Sequence, residues 1–216
     1  MARRIKEDPT VHQNRIAQKA EELFSKKGID NTSMDEIARS AGYSKATLYV
    51  YFKNKEDIVS FLALKSMSIL RDILIASLNE QKNSKEAFFS LCYGLVDYQN
   101  QYPDFFDRTL NYIQFDVNEE ADSLLNQTYR IGEEINHILI RYLKSGIEKG
   151  ELGACENYFE TIFHMWGMIS GLIKLAKEKE TYIKLSGNIP KDKFLEDGFQ
   201  KIYKMICNAQ YESSRE

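Results

Sequence analysis

Side chains that could contact a nucleic acid are concentrated in the stretch KATLYVY at residues 45–51. Lys45 carries an ammonium group, Thr47 a hydroxyl and a methyl group, and Tyr49 and Tyr51 phenolic hydroxyls. Lysine and tyrosine can reach phosphate oxygens, and threonine can bond a base edge or a phosphate. Alanine and threonine methyl groups can touch the methyl group of thymine. We therefore expect this stretch to present contacts that suit the major groove of DNA.

The spacing of apolar residues places these side chains on one short helix. Leu48 and Phe52 are four residues apart and form its inward stripe, and Ser44 can cap its first turn. The remaining side chains, including Ala46, then lie on the other faces of the helix. Both tyrosines could instead be packing residues that are partly buried, which is a common state for a tyrosine in a helix.

Two helices are predicted before this one. The first begins at Pro9 and ends at Gly28, with apolar residues three and four apart between them. The second begins with a capping box formed by Ser33 and Glu36 and ends at Gly42. Two short helices joined by a glycine turn predict a helix-turn-helix.

These residues resemble a known family. The stretch TSMDEIA at residues 32–38, followed by AGYSKATLYVYFKNK at 41–55, is similar to the DNA-binding domain of the TetR family of transcriptional regulators. The resemblance runs from near Asn14 to Ile58, about a quarter of the chain, and includes Gly28 at the end of the first helix.

The resemblance implies a role for each matching residue. The start of the recognition helix would face base edges through Lys45, Ala46 and Thr47. The DNA backbone would be contacted by Thr32, Ser33, Tyr49, Tyr51 and Lys55. A positive helix end independently favours phosphate at the start of the second helix.

Charge gives weaker support for a nucleic-acid partner. The net charge is −3. Residues 1–58 contain 11 Lys and Arg and 9 Asp and Glu, whereas residues 59–216 contain 18 and 23. Basic residues at the start of the chain could form an arm that enters the minor groove: Arg3, Arg4 and Lys6.

The rest of the chain is predicted to be helical, which makes the fold class all-α. Helices are expected at residues 54–79, 84–101, 103–115, 119–149, 156–179 and 191–209, with a loop at 185–190. The predicted organisation is a three-helix DNA-binding domain at residues 1–54 joined to a larger ligand-binding and dimerisation domain at residues 55–216.

Wide apolar faces mark the last two of these helices. In the TetR family, the two C-terminal helices of each subunit form a four-helix dimer interface with those of the partner. The resemblance therefore implies a homodimer, and its candidate interface comprises Phe159, Ile162, Phe163, Gly167, Ile169, Leu195, Phe199 and Ile202. Gly167 and Gly171 are four apart and would let another helix approach closely. An intramolecular core is the alternative for part of this face.

Aromatic residues are frequent between these elements, at the level where family members hold a small effector. An apolar or aromatic effector would suit such walls. The candidate effector site comprises Tyr93, Asp97, Tyr98, Tyr112, Phe115, Tyr129, Phe163 and Trp166. Acidic residues beside the rings could favour a cationic effector, namely Asp97, Asp116 and Glu134. Core packing is the alternative for each aromatic residue.

Enzyme and membrane classes find little support. No nucleophile, phosphate-loop or zinc-protease motif is present. Glu134 and His137 have the spacing of a di-iron helix, but the second such pair that this site needs is missing from the sequence. We expect no catalytic residues, no metal and no cofactor. The charged start of the chain and the lack of a run of about 18 apolar residues predict a cytoplasmic protein without a membrane partner.

The sequence therefore predicts a dimeric regulator that binds a palindromic operator on double-stranded DNA. It would most simply be a repressor that a small effector releases. Two alternatives stay open at this stage. One is an effector-free architectural or partner-binding factor of the same fold, and the other is a metalloenzyme built on a helical bundle.

Overall fold

The computed structural model describes residues 8–79, 83–111 and 123–207, and these form α-helices without strands. This confirms the all-α fold class. The helices are α1 Pro9–Lys27, α2 Met34–Ala41, α3 Lys45–Tyr51, α4 Lys55–Asn79, α5 Ser84–Gln101, α6 Pro103–Asn111, α7 Leu124–Glu148, α8 Tyr158–Glu178, α9 Glu180–Gly187 and α10 Lys191–Cys207.

The caps predicted for the first helices are present. Asp8 caps α1 by accepting a bond from the Thr10 amide at 2.8 Å, and the backbone at Gly28 turns away with φ 83°. Ser33 and Glu36 form the reciprocal capping box of α2. These local bonds satisfy amides that a helix leaves unpaired at its start, so short helices can begin at fixed residues.

The described residues pack as two compact units, the first comprising residues 8–66 with 123–129, and the second 67–79, 83–110 and 130–207. In the first unit, α1, α2 and α3 pack on one another. Each contributes a fully buried side chain: Ile16 from α1, Ile37 from α2 and Leu48 from α3. Burying one such side chain stabilises the folded state by about 1.5–3 kcal/mol. This burial offsets the weak intrinsic stability of short helices.

The second unit is built on α5, α8 and α10, which pack against one another. Phe88, Ile169 and Phe199 are among its fully buried side chains. Gly198 of α10 faces Leu172 of α8 so closely that an added Cβ atom would overlap the leucine side chain. The glycine therefore permits the close packing of these two helices.

The structure differs from the sequence prediction at one helix. Part of the loop expected at residues 185–190 is helical, because α9 continues to Gly187. Lys179 ends α8 with φ −110° and ψ 16°, although it is neither glycine nor proline. The sequence contained no residue that would mark a boundary there, so α8 and α9 could not be separated.

The compact units also divide the chain at a different place from the predicted domains. The predicted boundary lies between residues 54 and 55, whereas the first unit continues to Ser66, inside α4, and includes residues 123–129. A boundary drawn at a helix-turn-helix motif ignores how far the following helix contributes to the same core. The functional division into a DNA-binding and an effector-binding part stays a prediction.

Candidate nucleic-acid interface

The turn between α2 and α3 determines where α3 begins. Gly42 adopts a left-handed conformation with φ 77°, which a residue with a Cβ atom rarely adopts. The amide of Tyr43 then donates to the Ala38 carbonyl oxygen at 2.9 Å. Ser44 caps α3 by accepting a bond from the Thr47 amide at 3.1 Å. The start of the predicted recognition helix is thus fixed by a backbone bond in the turn and by the side-chain cap of Ser44.

The inner and outer faces of α3 are clearly separated. Leu48 is fully buried and Phe52, directly after the helix, is also buried. With about 100° between successive residues, Ala46 and Val50 lie opposite Leu48. Both are exposed, Val50 to 78%. The face of α3 that points away from the core is therefore apolar.

Polar side chains lie on either side of this apolar face. Lys45 and Tyr49 are exposed on one flank, while Thr47 and Tyr51 are half-buried on the other. The Thr47 hydroxyl lies 2.8 Å from the Ser44 hydroxyl. All residues that the sequence predicted for the recognition helix are thus on one short helix, with polar groups beside the outer apolar pair.

An ion pair joins α2 to α3 at this surface. The Lys45 ammonium lies 2.8 Å from the Asp35 carboxylate, and both side chains are more than half exposed. The hydrogen bond from Lys45 to Asp35, followed by the attraction between their charges, raises the pKa of Lys45. Lys45 is therefore a fully charged cation whose position is biased by Asp35.

Tyr51 contacts α1 through an aromatic group that the sequence prediction missed. Its ring centroid lies 5.4 Å from that of His12, and the Tyr43 hydroxyl lies 2.7 Å from Nδ1 of the same histidine. The three rings connect α1, the turn and the end of α3. No sequence pattern pointed to His12, because the contact spans 31 residues.

Thr32 lies in the turn between α1 and α2, with its side chain turned into the protein. Its side chain is only 2% exposed, and its hydroxyl donates to the Gly28 carbonyl oxygen at 2.8 Å. A buried hydroxyl with a partner inside the protein is not available to a phosphate. The Thr32 hydroxyl holds the turn between α1 and α2, and its expected phosphate contact stays a prediction that requires this bond to break.

Ser33 is exposed, but its polar groups are engaged with Glu36. The Ser33 amide and hydroxyl both donate to a Glu36 carboxylate oxygen at 2.9 Å. Glu36 also accepts a bond from Lys27 at 2.6 Å. Hydrogen bonds from Lys27 and then from Ser33 lower the Glu36 pKa to about 2. The expected phosphate contact of Ser33 stays a prediction. It requires that a phosphate oxygen replace the Glu36 carboxylate as the acceptor of the Ser33 bonds.

Lys55 donates to the backbone of the turn between α1 and α2. Its ammonium donates to the carbonyl oxygens of Ile29 and Asp30 at 2.9 and 3.3 Å. Asn54 caps the same end of α4 by accepting a bond from the Asp57 amide at 2.8 Å. Lys55 therefore connects α4 to the turn before α2, and its phosphate contact stays a prediction.

The candidate effector residues do not share one environment. Tyr98 is buried and contacts Phe106, which in turn contacts Trp166. Tyr93 packs its ring edge against Phe199 and is 46% exposed. Further candidates are exposed, namely Asp97, Tyr129 and Phe163. Others lie outside the described residues, namely Tyr112, Phe115 and Asp116, as do the basic arm residues Arg3, Arg4 and Lys6.

The candidate interface residues divide into a buried and an exposed group. The buried ones pack in the core of the second unit and are Ile162, Ile169, Leu195, Phe199 and Ile202. These side chains stabilise the protomer itself, and their expected contact with a partner stays a prediction. Phe159, Phe163 and Gly167 are exposed, and the two phenylalanine ring centroids lie 4.5 Å apart.

The two glycines of α8 lie on the same exposed face. A Cβ atom added to Gly167 or Gly171 would meet nothing within 4 Å among the described residues. Within that part of the chain, these glycines therefore have no packing partner. Leu175, 46% exposed, continues this face, which we call the α8 outer face: Phe159, Phe163, Gly167, Gly171 and Leu175.

The described residues contain neither a cluster suited to a metal ion nor a helix suited to crossing a membrane. Within residues 8–79, 83–111 and 123–207, no group of three or more His, Cys, Asp or Glu side chains could hold a metal ion. Glu134 instead accepts a bond from Arg71 at 3.3 Å, and His137 is exposed. None of the described helices combines the length and apolar content that crossing a membrane requires.

Residues 16–60 match the family model described as bacterial regulatory proteins, tetR family. A curated relative, an HTH-type transcriptional regulator of Staphylococcus aureus (strain USA300), is 28% identical over 98 residues, which are 45% of this chain. An HTH-type transcriptional regulator of Staphylococcus aureus (strain N315) is equally similar. The chain spans about half the length of the curated relatives it matches, 51%.

Solved structures are similar over nearly the whole chain. FadR of Bacillus halodurans, a fatty acid degradation regulator, has a TM-score of 0.67 and 17% identity, covering 96% of this chain and 99% of its own. FadR of Bacillus subtilis, solved in complex with stearoyl-CoA, has a TM-score of 0.64 and 19% identity, covering 90% and 97%. A protein from Rhodococcus sp. RHA1 has a TM-score of 0.72 and 17% identity, covering 91% and 95%. The TM-scores show a common fold, and at these identities the likeness shows the fold alone.

Proposed function

We propose that the chain, which belongs to the tetR family of helix-turn-helix transcriptional regulators, is a repressor. It would bind a palindromic DNA operator as a homodimer. A small effector would release the operator. The protein would act in the cytoplasm, where its DNA partner lies.

The arrangement of α3 is the observation that carries the DNA-binding proposal. Leu48 anchors the helix, while Ala46 and Val50 form its exposed outer face between flanks that carry Lys45 and Thr47. A helix that served only packing would not need an apolar outer face. A helix in the major groove does, because base edges offer both apolar and polar groups.

The proposed homodimer follows from the geometry of DNA. Two recognition helices enter successive major grooves when they are held about 34–36 Å apart. A single helix-turn-helix buries too little surface for tight specific binding. The α8 outer face supports self-association, because it exposes two phenylalanines beside glycines that no neighbouring side chain fills. Residues 55–216 would thus carry both dimerisation and effector binding.

The effector is proposed to be a small molecule with a large apolar part. The likeness to a FadR solved in complex with stearoyl-CoA makes a long-chain acyl-CoA the first compound to test. Buried aromatic residues of the second unit, Tyr98, Phe106 and the neighbouring Trp166, fit an apolar rather than a strongly cationic compound.

Selection of duplexes from a random library tests the DNA proposal. The full chain should recover a palindrome, and Thr47→Ala and Lys45→Ala should each weaken binding to it by about 1–3 kcal/mol without unfolding the protein. Lys193→Ala provides the control, because Lys193 forms a comparable exposed ion pair in the second unit at 2.9 Å from Asp197. Wild-type affinity in both α3 variants would refute the assignment of α3.

Release of the selected palindrome tests the effector proposal. Stearoyl-CoA is expected to lower operator affinity, whereas coenzyme A without the acyl chain is not, because the apolar part supplies the binding. Fluorescence anisotropy of the labelled duplex measures both. Operator binding that no acyl-CoA changes would contradict the acyl-CoA assignment and favour the effector-free regulator.

A further inference from the structure

Val50 is the most exposed large apolar side chain among the described residues of the first unit. It is 78% exposed, compared with 50% for Val11 and 45% for Tyr49. Valine is a weaker helix former than alanine, leucine or lysine, so local helix stability does not explain its presence. Packing inside the protomer does not explain the valine either, because its side chain is mostly exposed.

The position of Val50 on α3 defines what it can reach. Val50 and Ala46 are four residues apart and lie opposite the buried Leu48. When α3 enters a major groove, its flanks face the two walls of phosphates, and the side opposite the core faces the base edges. Thr47 and Tyr49 lie on opposite flanks, where the walls meet the outer base edges, whereas the methyl groups of Val50 and Ala46 face the floor.

The floor of the major groove presents one apolar group, the C5 methyl of thymine. The other base edges present hydrogen-bond donors or acceptors. Valine has no polar group in its side chain, so it would leave such an edge without a partner, and desolvation of an unpaired polar group is unfavourable. An apolar side chain at this position therefore favours thymine over the other bases.

We propose that Val50 is a specificity-determining residue that selects thymine by contact with its C5 methyl group, with Ala46 completing the apolar contact. This inference rests on the proposed operator binding and assigns the kind of base that the centre of α3 reads. It adds a residue that the motif resemblance left without a role.

Deoxyuridine provides the sharpest probe, because it pairs as thymine does and lacks only the methyl group. Each thymine of the palindrome selected by the full chain is replaced in turn by deoxyuridine. At the thymine read by Val50, the wild-type affinity should fall about fourfold per half-site, as expected for one buried methyl group. Symmetric replacement in both half-sites should lower the affinity about tenfold or more.

Val50→Ala completes the test. Alanine favours the helix, so the variant should stay folded. It should bind the thymine operator about as weakly as wild type binds the deoxyuridine operator, and it should no longer distinguish the two. Leu185→Ala is the matched control, because Leu185 is also 78% exposed and lies on α9 of the second unit. This control should retain full discrimination.

The other outcomes overturn the inference in distinguishable ways. If Val50→Ala lowers the affinity for the thymine operator and for the deoxyuridine operator by the same factor, Val50 contacts the sugar-phosphate backbone. Discrimination that survives in Val50→Ala, or no thymine whose methyl matters to wild type, would remove its role in base selection while leaving the operator proposal intact. Failure of wild type to select any duplex would refute operator binding itself and this inference with it.

Discussion

The Lys45 ammonium lies 2.8 Å from the Asp35 carboxylate, so the first residue of α3 is paired with an acidic residue in the first turn of α2. Lys45 is also a residue expected to contact DNA. A negative charge at the proposed interface repels phosphate, and the pair must loosen before Lys45 can bond a new partner. Asp35 therefore opposes DNA binding while it positions Lys45.

Asp35→Asn should strengthen DNA binding. The substitution removes a carboxylate beside the proposed interface and frees Lys45. Exposed ion pairs are weak, so the gain should be up to about fivefold. Fluorescence anisotropy measures it on selected and random duplexes. Asp197→Asn makes the same charge change in the exposed pair with Lys193, and it should leave both affinities unchanged. Weaker binding by Asp35→Asn would show that the carboxylate chiefly orders Lys45.

Lys55→Gln separates the two roles of this side chain. Glutamine retains an N–H donor for the carbonyl oxygens of Ile29 and Asp30, but it carries no charge. If Lys55 also neutralises a phosphate, the slope of log affinity against log salt concentration should become shallower by about one. Titrations across a range of salt concentrations give the slope. An unchanged slope in a folded variant would restrict Lys55 to its structural contact.

Glu36 should make the first unit sensitive to acid. Its pKa is lowered to about 2 from an ordinary value of 4.5. A lowered pKa in the folded state contributes stability above the unfolded pKa, and this stability is lost as pH falls from about 4.5 toward about 2. Glu36→Gln should therefore be less stable than wild type at pH 7, with the difference shrinking below pH 4.

Urea unfolding at several pH values measures this convergence. Glu156→Gln removes an exposed carboxylate outside the helices and should follow the wild-type pH profile. A stability difference between Glu36→Gln and wild type that stays constant down to pH 2.5, chosen as a test point near the folded pKa of about 2, would contradict the role of the Lys27 and Ser33 bonds.

Phe163→Glu should produce a folded monomer. Phe163 is 41% exposed, so the protomer tolerates a charge there, but a dimer that covers the α8 outer face does not. Sedimentation velocity should show dissociation, and operator affinity should fall by more than tenfold because the two half-sites are no longer coupled. Ile169→Glu differs, because Ile169 is 2% exposed and a buried charge costs several kcal/mol, so this variant should unfold. A folded Phe163→Glu dimer would exclude this residue from the interface.

Gly167→Leu tests whether a partner helix approaches α8 closely. None of the residues that the structure describes lies within 4 Å of an added Cβ atom there. Leucine should therefore stabilise the isolated helix by about 1 kcal/mol. In a dimer that packs a helix against this glycine, the larger side chain should separate the subunits. The thermal stability of the protomer and its dissociation constant should thus both rise, and an unchanged dissociation constant would place Gly167 outside the contact.

The beginnings and ends of the first helices could be predicted because short-range chemistry determines them. Asp8, the Ser33 capping box and Gly42 act on amides within a few residues, and sequence order shows these pairs directly. The exposed outer face of α3 follows from the same periodicity once Leu48 is recognised as buried. Val50 could have been found in this way, as the residue four positions after Ala46.

Contacts between distant residues could not be predicted in the same way. Ile162 and Phe163 are adjacent in sequence and equally apolar, yet one is buried and the other exposed. Helical spacing identifies an apolar face, but it does not reveal whether that face meets the same protomer or another. The Thr32 hydroxyl and the Lys55 ammonium likewise found backbone carbonyls, a choice that residue type alone leaves open.

The division of labour within α3 has an evolutionary consequence. Its attachment depends on Leu48, on the cap at Ser44 and on the turn at Gly42, whereas Ala46 and Val50 do not belong to the buried core. Mutations at these two outer positions can therefore accumulate with little loss of folding stability. A gene duplicate could acquire a new operator by exchanging them, while the framework that presents them stays intact.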